Sequence, residues 1–259
     1  MSEGKAMSFL VDHPILFFVV SLVLLWLSAY LGAFLRRWIH PGPLEDNEDY
    51  SLILTSTLTL LGLLIGFTFS MAAGRYDQRK NYEEEEANAI GTEYVRADLL
   101  PPADAEKVRT LLRHYLDLRV QYYSRLTPEQ ERQNDADTAR MQSRLWAAIT
   151  PAVNAEPTQP HTLVASGMND VLNRQGYTQA AWLNRVPVAA WMLMAAIAIF
   201  GNMLLGYRSI HRPKGTLLIL PLALAISFFL VADIDAPRRG IILVHPQNLE
   251  ILANSLRPH

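Results

Sequence analysis

Cysteine is absent from the 259 residues, which excludes disulfides, thiolate nucleophiles and sulfur-ligated metals. An excess of positive charge is missing as well: Lys and Arg number 23 against 25 Asp and Glu, a formal net charge of −2, and the pI is near 6.4. Without a basic surface there is no electrostatic case for nucleic acid as a partner. The 7 histidines lie far apart and form neither HxxxH nor HExxH, so the zinc-protease pattern is not there. GxSxG, Walker and dinucleotide-binding loops are missing too. No acid, base or nucleophile cluster lies inside the apolar runs, so the chain points to no enzyme, cofactor or metal.

What the chain has instead is apolar residues gathered into runs. Hydrophobic residues make up 50% of it, yet the mean hydropathy is only +0.09, so a polar portion of comparable weight dilutes them. Pro14 to Leu35 is apolar apart from Ser21, Ser28 and Tyr30. At about 1.5 Å per residue such a run crosses a hydrocarbon core of about 30 Å. It stops at Arg36 and Arg37, with Trp38 as an interfacial anchor. A cleavable signal peptide would need a basic leader and a shorter run. Leu52 to Ala73 is a second span, with Gly62 and Gly66 in the spacing that lets helix backbones approach. A short acidic loop, Pro41 to Tyr50, joins the two. A third span runs from Pro187 to about Leu205, and Pro213, Lys214 and Gly215 turn the chain into a fourth from Thr216 to Ala232. That last run is short and holds Pro221, which predicts a kink. The lipid bilayer is therefore the first partner.

Between the second and third spans the chain is too polar for lipid and its period is helical. Arg75 to Leu99 extends the second span until Pro101 and Pro102 break it. Val108, Leu111, Leu112, Tyr115, Leu118 and Tyr122 recur as one buried stripe of an amphipathic helix. Thr127, Pro128 and Gln130 read as a capping box opening a helix to about Ile149. Prolines 151, 157 and 160 read as a linker, and a last helix runs from about Leu163 to Asn184, with Asp170 and Arg174 as an exposed pair. The expected class is all-α. Residues 1–74 form a first transmembrane hairpin, 75–186 a helical domain, 187–233 a second hairpin and 234–259 a tail. Four spans put both termini and the insert on one side. Arg36, Arg37, Arg208, Arg212 and Lys214 nearly balance Lys5, Arg238 and Arg239, and Arg75, Arg79 and Lys80 tip the choice to the cytoplasm.

Several constellations admit two readings. The acid run Glu83 to Glu86 invites a metal, but consecutive helical residues splay around the axis, and Arg79 and Lys80 sit one turn earlier. It reads as a solvated, partly paired face. Asp233 and Asp235 end the fourth span, where they either hold a cation or pair with Arg238 and Arg239. Thr59, Leu63 and Phe67 form an i, i+4, i+8 row on one face of the second span. Ordinary packing explains that row. So does a narrow apolar constriction made when several copies bring their rows together.

The chain resembles the bestrophin-like family of bacterial membrane proteins, which is grouped with the bestrophin anion channels. Gly66-Phe67-Thr68-Phe69-Ser70, Arg75-Tyr76 with Arg79, Glu86 to Thr92 with Asn88 among them, and Arg96 carry the likeness. Asn169-Asp170, Arg174 and the closing Asp233-x-Asp235-x-Pro237-x-x-Gly240 complete it. The resemblance implies a pentamer in a bacterial inner membrane, with cytoplasmic termini and a central pore for small inorganic ions. Thr59, Leu63 and Phe67 match the neck of that pore. Thr59 departs from the large apolar residues of bestrophin necks. The acidic calcium clasp of animal bestrophins is missing after Gly240, where Ile241, Ile242, Leu243 and Val244 follow. Against a channel stands a scaffold reading, in which the spans only pack and the insert binds a soluble partner.

Overall fold

The computed structural model describes residues 10–11, 13–39, 48–208 and 215–257, and among these no strand occurs. The helices are α1 (Pro14–Ile39), α2 (Glu48–Arg96), α3 (Pro102–Tyr122), α4 (Pro128–Ala155), α5 (Gln159–Leu183), α6 (Val188–Arg208), α7 (Thr216–Asp235) and α8 (Gln247–Ser255). Among the described residues, four helical stretches are long and apolar enough to cross a membrane. They are α1, the first half of α2, α6 and α7. The expected loop at Pro41 to Tyr50 lies outside the described residues except for its last three, which already belong to α2, and the turn at Pro213 and Lys214 also lies outside them.

Two compact units emerge, Met1–Arg75 with Arg185–Leu243, and Tyr76–Asn184 with Val244–His259. In the first, α1 packs against α6 and α7. Two glycines set the α1–α6 crossing: a Cβ on Gly32 would collide with the Met203 carbonyl, and one on Gly206 with the Ala29 carbonyl. Without side chains at either point the two backbones lie in contact. Further along, Trp191 stands edge-on to Phe17 at 5.1 Å and to Phe228 at 6.4 Å, which ties α6 to α1 and α7. Arg36, at the stop of the first span, is buried, with its guanidinium 5.4 Å from the Tyr207 ring centre. Gly206→Ala is expected to destabilise the protein by about 1–3 kcal/mol through overpacking. An unchanged thermal midpoint in detergent would show that the crossing has slack.

The second unit has an apolar core of Ile90, Val108, Leu112, Tyr115, Leu145, Val164, Met168 and Leu249. The stripe on α3 is buried as its spacing predicts at Val108, Leu112, Tyr115 and Tyr122, but Leu116 and Arg119 join it, while Leu111 and Leu118 lie half-exposed. The capping box is formed: Thr127 Oγ1 accepts from Gln130 N at 3.3 Å, and Gln130 Oε1 accepts from Thr127 N at 2.9 Å. Pro151 does not end α4, which continues to Ala155. At Pro151 the ladder loses one N–H donor, and the helix runs on through it with Ala152 buried in the core. Pro160 lies in the first turn of α5, where its missing N–H has no helical partner to lose.

Candidate functional site

The row Thr59, Leu63 and Phe67 lies on a face of α2 that none of the described residues covers. Phe67 is 63% exposed and Leu63 54%. The Thr59 hydroxyl turns back to donate to the Thr55 carbonyl at 2.8 Å, which satisfies it without solvent. Beside Gly62, Gly66 and Gly74 there is open space. Only 11% of the apolar window of α2 is buried, against 33% for α1 and 50% for α7.

Arg75 ends this part of α2. Its Nη1 lies 3.8 Å from Asp235 Oδ1, and the Asp235 carboxylate accepts from the Val186 amide through both oxygens at 3.1 Å. Asp235 therefore caps the approach to α6. Asp233 accepts from the amides of Ile241 and Ile242 at 2.6 and 2.8 Å. At Gly240 the space of a Cβ is filled by the Asp233 and Ala236 carbonyls, so a side chain there would open this turn, and Pro237 is buried within it. Backbone amides, rather than Arg239, are the partners of Asp233. Arg239 Nη1 instead meets His13 Nε2 at 2.7 Å.

The reading of Glu83 to Glu86 as a solvated face is corrected for two of the four residues. Arg79, Glu83, Glu86, Ile90, Glu93 and Ala97 are all buried, a stripe of alternating four- and three-residue steps down one side of α2. Arg79 does not pair with the acids one turn on. Its Nε and Nη2 donate to the carbonyls of Ala181 and Asn184 at 3.2 and 3.1 Å, closing the C-terminus of α5. Glu83 accepts from Leu249 N at 2.8 Å and Asn248 Nδ2 at 2.7 Å, capping the start of α8. Glu86 accepts from Arg119 Nε at 2.5 Å and from the Thr178 hydroxyl at 3.1 Å. The Arg119 guanidinium also lies 4.4 Å from the Tyr122 ring centre. Burial, and then the Glu86 carboxylate, push the Tyr115 and Tyr123 hydroxyls well above the usual phenol range.

Glu93 is the exception in this stripe, because neither carboxylate oxygen has a hydrogen-bond partner. Burial pushes its carboxyl up to about 8, with Arg96 opposing the shift and Asp170 adding to it. Close by is a cavity of about 270 Å³ whose walls include Asn88, Thr92, Arg96, Gly167, Asp170 and Arg174. Arg174 pairs with Glu85, not with Asp170 one turn away as its spacing suggested. No group of three or more His, Asp or Glu able to hold a metal occurs among the described residues. Sequence reasoning passed over Glu93, Arg119 and Thr178, and read Glu83 as solvated, because it counted only apolar residues as buried. The four-three spacing from Arg79 to Ala97 was the signal available.

The bestrophin-like domain profile matches residues 15–249. No curated protein matches the chain. Among solved structures the chain is similar to a bacterial bestrophin homologue from Klebsiella pneumoniae, phased from zinc, at 14% identity with a TM-score of 0.63, covering 92% of this chain and 95% of that one. A variant of the same homologue with one tyrosine replaced by alanine gives 14% identity and a TM-score of 0.65, covering 92% and 96%. A leucine-to-threonine variant gives 15% and 0.65 over the same shares. At such identities the likeness is one of fold, and it spans nearly all of both chains. With 15–249 matched as one domain, the chain belongs to the bestrophin-like family.

Proposed function

We propose that the protein is a membrane channel for passive conduction of small anions, formed by several copies around a pore that α2 lines. The observation that carries this reading is the bareness of α2: its apolar segment is the least covered of the four spans. Gly62, Gly66, Ser70 and Gly74 run down α2 beside the row of Thr59, Leu63 and Phe67, and the three glycines have open space next to them in a single chain. Small residues at that spacing admit a neighbouring backbone, and large apolar ones beside them narrow a pore that gates by dewetting. Anion selectivity and a pentamer follow from the resemblance to bestrophins. On this reading the protein lies in a bacterial inner membrane with both termini and the insert 75–186 in the cytosol. It does no chemistry on a substrate.

Native mass spectrometry of the full chain in mild detergent tests the assembly, with a five-subunit mass expected. A monomer or dimer would put the scaffold reading first, with α2 facing lipid and the helical insert holding a soluble partner. Given the pentamer, Phe67→Ala is expected to raise anion efflux from proteoliposomes severalfold, because it removes the largest side chain from the row. Unchanged efflux in a variant of the same mass would remove Phe67 from the constriction.

A further inference from the structure

A pore along α2 leaves part of the family pattern without a task. Asn88, Thr92 and Arg96 come from one of its segments and Asp170 and Arg174 from another, and all five line the same cavity of about 270 Å³. The first three repeat at i, i+4 and i+8 on one face of α2. Gly167, Asp170 and Arg174 repeat at i, i+3 and i+7 on α5. The two helices run antiparallel here, since the Glu85–Arg174 pair closes one end and Arg96 meets Gly167 at the other.

Charge is arranged unusually in this groove. Arg174 is neutralised by Glu85. Arg96 and Asp170 both line the cavity, yet neither has a hydrogen-bond or ion-pair partner among the described residues. Asn88 and Thr92 line it as well, so a cation, an anion, an amide and a hydroxyl converge on one groove. Behind the Gly167 wall lies Glu93, fully buried with both oxygens unbonded, a rare and costly state. Its carboxyl and the Arg96 guanidinium together fill the room that a side chain at 167 would take. A protonated Glu93 leaves the Arg96 charge uncompensated from within.

A lone inorganic anion in this groove would face Asp170, and a lone cation would face Arg96. Metal ions lack the necessary cluster of ligands. A molecule carrying both charges meets both residues. At about 30 Å³ of liquid per water the space equals about nine waters, room for a small organic molecule. We propose that this groove binds a small zwitterion of the α-amino-acid class, its carboxylate on Arg96 and its ammonium on Asp170, with Asn88 and Thr92 completing the hydrogen bonds. This inference is independent of conduction.

The test is thermal unfolding of the full-length protein in detergent with each common amino acid at millimolar concentration, followed by calorimetric titration of those that raise the midpoint. At least one is expected to bind saturably. Its N-acetyl and carboxamide derivatives, each stripped of one charge, are expected to bind wild-type protein about tenfold more weakly or worse. Arg96→Gln and Asp170→Asn should each weaken the parent amino acid to a similar degree. If no amino acid shifts the midpoint, the proposal fails. Equal binding of the acetylated derivative overturns it too, since the groove would then be an anion site. The derivative comparison uses wild-type protein, so it holds even where a variant does not fold.

Discussion

Arg119→Met is expected to cost about 3–5 kcal/mol of stability, which makes it the most damaging single change in the second unit. Arg119 and Glu86 are each fully buried, and the guanidinium holds the carboxylate through Nε at 2.5 Å and Nη2 at 3.4 Å. Methionine would leave Glu86 with the Thr178 hydroxyl alone to compensate a charge in the interior. The penalty comes from the orphaned partner more than from the lost bond, because forming a buried ion pair from water gains little once desolvation is counted. The double variant Glu86→Leu with Arg119→Met is therefore expected to regain most of the loss, to within about 1–2 kcal/mol of wild type. Chemical unfolding of wild type, the two single variants and the double variant measures this as one cycle. Additive losses would show that packing and the Tyr122 ring contact, not charge, are what the pair supplies.

Glu93 sets the second large expectation, a fall in stability as pH rises. Its carboxyl in the folded protein titrates at about 8, above the ordinary 4.5, so the folded state binds this proton more tightly than the unfolded state does. The contribution is fully present below about 4.5 and is lost progressively as pH rises through 8. The charged groups facing it are Arg96 on its own helix and Asp170 on α5, one opposing the shift and one reinforcing it. Glu93→Gln keeps the shape and removes the titration. At pH 9 the Gln variant should exceed wild type by about 2–3 kcal/mol, a figure reduced for partial solvent screening, and the two should converge near pH 5. Parallel pH profiles of the thermal midpoint would show that Glu93 has a partner in solution.

Apolar runs and turn chemistry made the architecture readable. Pro14 to Leu35 and Leu52 to Ala73 could be nothing but long buried or lipid-facing helices, and the Thr127–Gln130 box marks its helix start through hydrogen bonds that depend on local residues alone. Helix ends were less legible where proline was read as a stop, as at Pro151, because core packing of Ala148, Ile149 and Ala152 on either side of it outweighs the roughly 3 kcal/mol that a proline inside a helix costs. Least legible was the interior of the second unit. Burial is set by where partners lie in space, and those of Glu83 and Glu86 are 166 and 33 residues away in the chain. A charged residue with a distant partner looks like a surface residue until the fold brings the partner in. The same blindness hid the convergence of Arg96 and Asp170, which no spacing within one segment could reveal.

The charged stripe on α2 has a consequence for biogenesis. When the chain emerges, Arg79, Glu83, Glu86 and Glu93 follow directly on an apolar segment that enters lipid readily. Each such charge at the middle of a membrane helix costs about 2.5–3.5 kcal/mol at insertion. The stripe thus sets a cost against further entry into lipid with no break in the helix, which runs unbroken to Arg96. Its side chains meet their partners only later and in order of synthesis: Glu86 accepts from Arg119 and then Thr178, Arg79 donates to the carbonyls of Ala181 and Asn184, and Glu83 last accepts from Asn248 and Leu249. A chain that lacks residues 248 and 249 therefore leaves the Glu83 carboxylate without the two donors that cap it.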